Sequence, residues 1–430
     1  MHRPKEGPEA TPIPDGPPVS DSPKPSQQSL RGLDWFVFFL ADVQTGFGPF
    51  VSVYLTTQAW TQVDIGLVLT IGGLVALVGQ MPGGALVDAV RSERLLAAGG
   101  VLAISASALA LAAWPLFLLV LLGRVLHAVA SCVLGPAIAA ISLGLVGHAG
   151  MGERLGRNAR FASIGTGLAA AAMGALGYLT SSRYVFFATA ALIVPTLLVL
   201  FQIRPEEIDP ERAHGGKHGS GPRKLGEGFL ALAGHRPLLI LAGCALLFHL
   251  ANAAMLPLMG SLLTMRSADW ATVLIACCIV VPQIVVALSS PWIGRRAEQW
   301  GRRHLLLLGF AALPVRGLLF AGVANPYLLV CIQVLDGISA AVLGVLLPLI
   351  VADITRGTGR FNLAQGIVGT AVGIGASLST TLAGYMSDYI GTGAAFVGLA
   401  VLGFAGLGLV WGALPETRPQ PGARDASVRI

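Results

Sequence analysis

The sequence predicts an all-α membrane protein of twelve transmembrane helices in two pseudo-symmetric six-helix bundles. Three observations carry that prediction. Hydrophobic residues fill 54% of the 430 positions and charged residues 12%, where a soluble globular chain carries about a quarter charged residues. The apolar residues fall into twelve runs near the length of about 20 residues that crosses a bilayer. The runs before a polar central loop are echoed, at almost one offset, by the runs after it.

Residues 1–32 read as a disordered, Pro-rich cytoplasmic tail. Eight prolines fall in the first thirty positions, the apolar content is too low for a core, and no apolar h-region marks a cleaved signal peptide. The first bundle, 33–203, takes spans at 33–56, 64–86, 95–113, 115–146, 161–180 and 185–203. The fourth is long enough to tilt or to run past the membrane. The central loop, 204–236, mixes acids, bases, glycines and prolines with no apolar period before Leu225. Leu225 to Leu232 suits a short helix on the inner membrane surface. The second bundle, 237–414, takes spans at 237–263, 270–292, 304–323, 327–350, 361–385 and 394–414, and a second cytoplasmic tail covers 415–430. Several spans are rich in Gly and Ala, which lets helices approach closely.

A net charge of +6 would suggest nucleic acid in a soluble chain. Here the bases sort by loop. All but four of the 28 lysines and arginines lie in the tails, the central loop and the links that share their side of the membrane. Arg183 and Arg266 lie opposite, and Arg124 and Arg316 lie within spans. The positive-inside rule then places both termini and the central loop in the cytoplasm, and no nucleic-acid partner is implied. All seven tryptophans sit near span ends, as an aromatic belt requires. Five cysteines fall in apolar runs without metal-site spacing and read as reduced packing residues.

The internal repeat has four matches. Gly84-x-x-x-Asp88 after the second span answers to Gly294-x-x-x-Glu298 after the eighth. Ala41-Asp42 answers to Ala251-Asn252. Arg124-Val-Leu-His127 with Val133-Leu-Gly135 answers to Gln333-Val-Leu-Asp336 with Val342-Leu-Gly344. Asn158 with Gly165 is paired with Asn362 and Gly369. Such repeats place a binding site near the midplane between the halves.

Twelve spans, a basic central loop and an acidic glycine motif after spans two and eight resemble the major facilitator superfamily over residues 31–415. The family's loop motif runs Gly-x-x-x-Asp-basic-x-Gly-x-basic. The second copy here is close, with Gly294, Glu298, Gly301, Arg302 and Arg303. The first keeps Gly84 and Asp88 but has no second glycine. Arg124 resembles the family's fourth-helix arginine motif. The Gly-Pro motif of proton-coupled antiporters is absent from 161–180. The resemblance implies that the loop motif gates conformational change, joining the halves when the transporter is open outward, and that helices one, four, seven and ten line a central cavity. Physically, Gly84 lets its helix pack tightly. Asp88 is placed to accept hydrogen bonds from a neighbouring helix N-terminus and to meet its positive dipole end.

Charges within spans are costly and are functional candidates. At 1.5 Å per residue, Asp42, Arg124, His249, Arg316 and Asp336 fall about 14–18 Å above the inner face, and Asn252 slightly higher. Asp42 and Arg124 form either a cavity pair or a static salt bridge. Asp336 either lines the cavity or neutralises Arg316 on the next helix. His127 and His249 are proton carriers or packing residues. Asp42, Arg124, His249, Asn252 and Asp336 are therefore the candidate substrate or proton site, with His127 and Arg316 behind them. Met255 and Met259 share a helix face near Cys277 and Cys278, a set that suits Cu(I) but fits apolar packing better. His214 and His218 fit a solvated loop better than a metal site. No metal and no cofactor are implied, and phosphate-loop, metalloprotease and nucleophile-elbow motifs are absent, so an enzyme is not expected.

The expected function is a secondary active transporter, a monomer among membrane lipids. It would move a small polar, anionic or zwitterionic solute by alternating access with proton coupling, as a multi-pass protein of the bacterial inner membrane. Drug efflux and a non-transporting sensor or assembly factor are the rival readings.

Overall fold

Long runs of Leu and Ala lose little side-chain freedom in a helix, and in lipid a helix satisfies every backbone hydrogen bond within itself. The chain accordingly folds into helices. In a computed structural model, residues 25–45, 50–216, 232, 234–266 and 271–418 are described, and among them there is no strand. The first half comprises α1 (Gln27–Thr45), α2 (Phe50–Thr57), α3 (Gln62–Ala89), α4 (Glu93–Ala113), α5 (Phe117–Leu179), α6 (Ser182–Ala191) and α7 (Ile193–Gln202). A short helix in the central segment, α8 (Pro210–Ala213), leads to the second half. That half comprises α9 (Arg236–Asn252), α10 (Met255–Arg266), α11 (Ala271–Trp300), α12 (Arg302–Gly322), α13 (Pro326–Ile354), α14 (Phe361–Tyr389) and α15 (Thr392–Ala413).

Among the described residues ten helical stretches are long and apolar enough to cross a membrane, with α6 and α7 forming one and α9 running on into α10 forming another. The first predicted span is not among them: α1 and α2 fill its place, on either side of residues outside the description. The fourth and fifth predicted spans are two helical arms of α5, which meet at a kink at Gly147. The stretch 148–160, expected as a polar loop, is the start of the second arm. Gly147 has φ 65°, in the left-handed region that a glycine adopts without penalty. The predicted surface helix at Leu225–Leu232 and His218 lie outside the described residues.

Each half has its own apolar core. One gathers Phe36, Tyr54, Val101, Ile104, Leu134 and Phe186, the other Phe248, Phe310, Leu346, Ile350, Phe361 and Phe396. Met151 and Leu155 of α5 enter the second core, so that helix belongs to both. Val78, Leu198, Leu288 and Val401 stay exposed on the outside, where lipid would meet them.

The first and last described stretches and the central segment lie at one face, hereafter the terminal face. Ser26 N–H donates to Glu207 at 2.8 Å, Arg94 to the Ile203 carbonyl at 2.6 Å, and Arg302 N–H to Glu416 at 2.9 Å. The halves close against each other there along two seams. In one, Gly84 of α3 lies against the Asn362 backbone of α14, and Gly366 against Gln80 and Met81. In the other, Gly294 of α11 lies against the Gly152 backbone of α5, and Gly156 against Ser290 and Pro291. A Cβ at Gly84, Gly294, Gly156 or Gly366 would enter opposing backbone. Every counterpart across the two seams is 210 residues apart. The structure thus pairs Asn362 with Gly152 and Gly366 with Gly156, which corrects the pairing of Asn158 with Asn362.

Candidate functional site

Above the seams a cavity of about 540 Å³ opens between the halves. Val37 of α1, Gln80 of α3, Asn158 and Ser163 of α5, Gln283 of α11, Ala340 of α13 and Gln365 of α14 contribute to its wall. Among the described residues that line it, none has an ionisable side chain. Its polar groups are amides and one hydroxyl, set among Ala, Val, Leu, Ile, Pro and Gly. Two of them differ in how they are held. Asn158 is fixed: Arg154 Nε donates to its Oδ1 at 2.9 Å and its Nδ2 donates to Ser142 Oγ at 2.8 Å. Gln365 Nε2 is a buried donor with no hydrogen-bond partner, a costly arrangement that a bound acceptor would relieve.

The sequence-predicted polar residues lie elsewhere, in two groups, and none lines this cavity. In the second half Arg316, 2% exposed, bonds Asp336 of α13 and Asn252 of α9. It also donates to the Met255 sulfur at 3.1 Å. Arg316 and Asp336 are therefore partners within one half, and the Met255 thioether is engaged by a guanidinium. His249 Nδ1 donates within its own helix, to the Ala245 carbonyl at 2.9 Å. In the first half Asp42 is buried, faces Gly165 of α5, and its Oδ1 has no hydrogen-bond partner. Asp42 and Arg124 form no ion pair among the described residues; Arg124 packs over Gly72 of α3, and His127 lies one turn further along α5.

The loop motif sits at the seams. Asp88 accepts from Asn362 N–H at 3.2 Å, Asn362 Nδ2 at 2.8 Å and Leu363 N–H at 2.8 Å. It thereby satisfies the first turn of α14, a helix end where backbone donors are otherwise open. Glu298 Oε1 lies against Gly152 of the other half and accepts from Arg302 of its own half at 3.1 Å. Arg302 also reaches Asp353 at 3.0 Å and the Ala297 carbonyl at 2.6 Å. Gly301 holds φ 88° at the start of α12, and Arg303 N–H donates to Glu416 at 3.1 Å.

The Major Facilitator Superfamily sequence profile matches residues 35–313 and 241–429. The chain belongs to that superfamily. An uncharacterized MFS-type transporter of Mycobacterium tuberculosis, matched in two strains, is 43% identical over 405 residues, covering 93% of this facilitator and 95% of the relative. The Escherichia coli fucose:proton symporter FucP has a similar structure, with TM-score 0.72, 15% identity, and 91% of this chain and 98% of that one covered. The human organic anion transporter MFSD10 (TETRAN) follows with TM-score 0.67, 14% identity, and 89% and 99% coverage. At those identities the solved structures speak for the fold alone. The facilitator is an integral multi-pass membrane transporter.

Two sets of residues escape a search for intramembrane charge. Gln80, Gln283 and Gln365 interrupt apolar runs without charge, and an uncharged amide gives a weaker signal than an arginine. Asp34 lies at the start of the first span, where a charge is unremarkable by position. In the facilitator it is 1% exposed and pairs with Arg154 and with Arg157, the latter at 2.6 Å. Arg154 and Arg157 read as inner-loop bases by the charge rule. Their place on a continuous helix could be found from the absence of any Pro or Gly-Gly break between Met151 and Ser163.

Proposed function

We propose that this facilitator moves a small, uncharged, hydrogen-bonding solute through the central cavity by alternating access, with Asp42 as the proton site. The observation that carries the reading is the cavity wall. Amides from both halves converge on it, as a site between rocking bundles requires, and its volume suits a small molecule. Among the candidate charges, Arg316 is already satisfied by Asp336 and Asn252 within the second half. An uncharged solute therefore fits this wall better than an anionic or zwitterionic one. Proton coupling rests on Asp42, a buried carboxylate whose Oδ1 lacks a partner; such groups in membrane helices mark ion pathways. The base distribution supports cytoplasmic termini in a bacterial inner membrane. Export of an uncharged amphipathic compound is the second reading, favoured by the apolar share of the wall, Leu155, Val286 and Pro348 among it.

The test compares small molecules in cell extract and spent medium from cells lacking the protein and cells overexpressing it, and from cells expressing Gln365→Leu, Arg124→Ala or Asp42→Asn. An uncharged solute should shift with the wild type, its direction separating import from export. Gln365→Leu should weaken that shift about tenfold, the loss of one hydrogen bond of about 1.4 kcal/mol. Asp42→Asn should abolish accumulation against a gradient while downhill exchange persists. An anion or zwitterion that follows Arg124→Ala and ignores Gln365→Leu would overturn the cavity assignment.

A further inference from the structure

The segment that joins the halves grips both of them. On the first half, Asp209 N–H donates to the Gly144 carbonyl of α5 at 3.2 Å, and Ile208 and Ala213 pack on Gly144. Asp209 also caps α8, accepting from Glu211 N–H at 3.0 Å and Arg212 N–H at 3.1 Å. On the second half, Phe361 N–H donates to the His214 carbonyl at 3.2 Å and Gly359 N–H to the Gly215 carbonyl at 3.2 Å. Asn362 Nδ2 donates to the Ala213 carbonyl at 3.3 Å. The segment thus crosses the same α3–α14 seam that Asp88 closes.

At the crossing the His214 side chain turns back to the first half. Its Nε2 lies 2.9 Å from Glu93 Oε1, in the first turn of α4. Glu93 is 3% exposed, and the imidazole faces it at ion-pair distance. Asp88, at the end of α3, faces the same imidazole. The α13–α14 turn meets the segment through backbone N–H groups and Thr355, and carries Arg356 and Arg360. Arg212 on the segment itself, paired with Asp209 at 2.8 Å, and His148 on α5, under the influence of Arg356 and Arg212, complete the charged groups of this corner.

We propose that residues 208–216 form a strap that locks the terminal face shut and that His214 is its protonation switch. Charged His214 ties the strap to two carboxylates of the first half while its backbone holds α14 of the second. Neutral His214 leaves Glu93 and Asp88 without that charge and loosens the seam. Burial by itself would lower the His214 pKa. The Glu93 carboxylate at ion-pair distance, the charge of Asp88 and a hydrogen bond to the Val87 backbone carbonyl outweigh burial and hold the group above its ordinary 6.5. A pKa raised in the closed state means that the grip is fully present below 6.5 and is lost as pH rises through the raised value.

Hydrogen exchange of the purified full chain tests this without any substrate, so it can fail while the transport reading stands, and the reverse. The readout is the protection of the Gly359 to Leu363 amides, corrected for intrinsic exchange, at about pH 6 and about pH 9, on either side of a raised histidine pKa. In the wild type, protection should fall about tenfold across that range, the scale of one pKa unit of coupling. His214→Gln should be loosened and should lose most of the wild-type pH response, with α12 amides protected as in the wild type. His214→Arg should stay protected at the higher pH. A wild type that is flat across the range, or a His214→Gln variant with the wild-type pH response, would overturn the switch. Loss of α12 protection in His214→Gln moves the decision to His214→Arg, whose loosening at high pH overturns it and whose closure supports it.

Discussion

The two seams of the terminal face are built alike and fastened differently. In both, a glycine of the loop motif brings one helix down onto the backbone of the other half: Gly84 on Asn362, Gly294 on Gly152. Beyond that the halves diverge. Asp88 reaches across its seam to three donors at the start of α14. Glu298 lies against Gly152 of the first half but bonds within its own half to Arg302, which joins α11, α12, Asp353 of α13 and, through its backbone, Glu416. The first residue of α12 is Arg302, and the first residue of α4 is Glu93. A duplicated motif has been divided between two tasks. One copy holds the halves together, and the other stiffens a single half.

The glycines should show what is common. A side chain at Gly84 or at Gly294 has no path but into opposing backbone, and close helix approach through small residues is the main source of attraction in lipid. Gly84→Leu and Gly294→Leu should each prevent closure of the terminal face and lower transport by roughly a hundredfold or more, the scale of a closed state lost by about 3 kcal/mol. Disulfide trapping between cysteines placed on either side of each seam measures this directly. One glycine tolerated and the other not would mean that only one seam closes in the transport cycle.

The acids should show what differs. Asp88→Asn weakens charge-assisted hydrogen bonds of about 1.5–3 kcal/mol, so trapping across the α3–α14 seam should slow by roughly ten- to a hundredfold. Glu298→Gln should change trapping across the α5–α11 seam less than about threefold, since a partly exposed ion pair within one half is worth little. Equal effects at both seams would remove the distinction between them.

The parts of this arrangement that sequence discloses are those with a period or a charge. Apolar runs mark the spans, base counts separate the loops, and Gly84 and Asp88 announce a close approach and a helix end that needs an acceptor. What sequence hides depends on side-chain partners far along the chain. Arg154 counts as one more loop base until Asp34, 120 residues away, is seen against it. The layer formed by Asp42, Arg124, Arg316 and Asp336 follows from depth alone. Depth does not say which side of a helix a residue occupies, and Arg316 turns into its own half. Gln80, Gln283 and Gln365 carry no charge to draw attention, and only the approach of the halves makes them a cavity.

The smallest effect separates the halves by the sign of their pH response. The His214 strap on the first half weakens as pH rises. Glu416, beside α12 in the second half, behaves in the opposite sense. Burial pushes its carboxyl up, but the backbone N–H groups of Arg302, Arg418 and Arg303, with the Arg302 charge, bring it below its ordinary 4.5. A group held low in the folded state contributes stability that is present above 4.5 and lost as pH falls through the lowered value. The site is half open to solvent, so screening reduces what it is worth. Glu416→Gln should therefore reduce protection of the Arg302 and Arg303 amides only about two- to threefold at neutral pH, the scale of a weak hydrogen bond. Acidification below 4.5 should erase the difference between variant and wild type. Protection of Gly359 to Leu363 at the first seam should be unmoved by Glu416→Gln at neutral pH. If those amides also loosen, the second half's network reaches across the molecule, and the division of labour between the two motif copies does not hold.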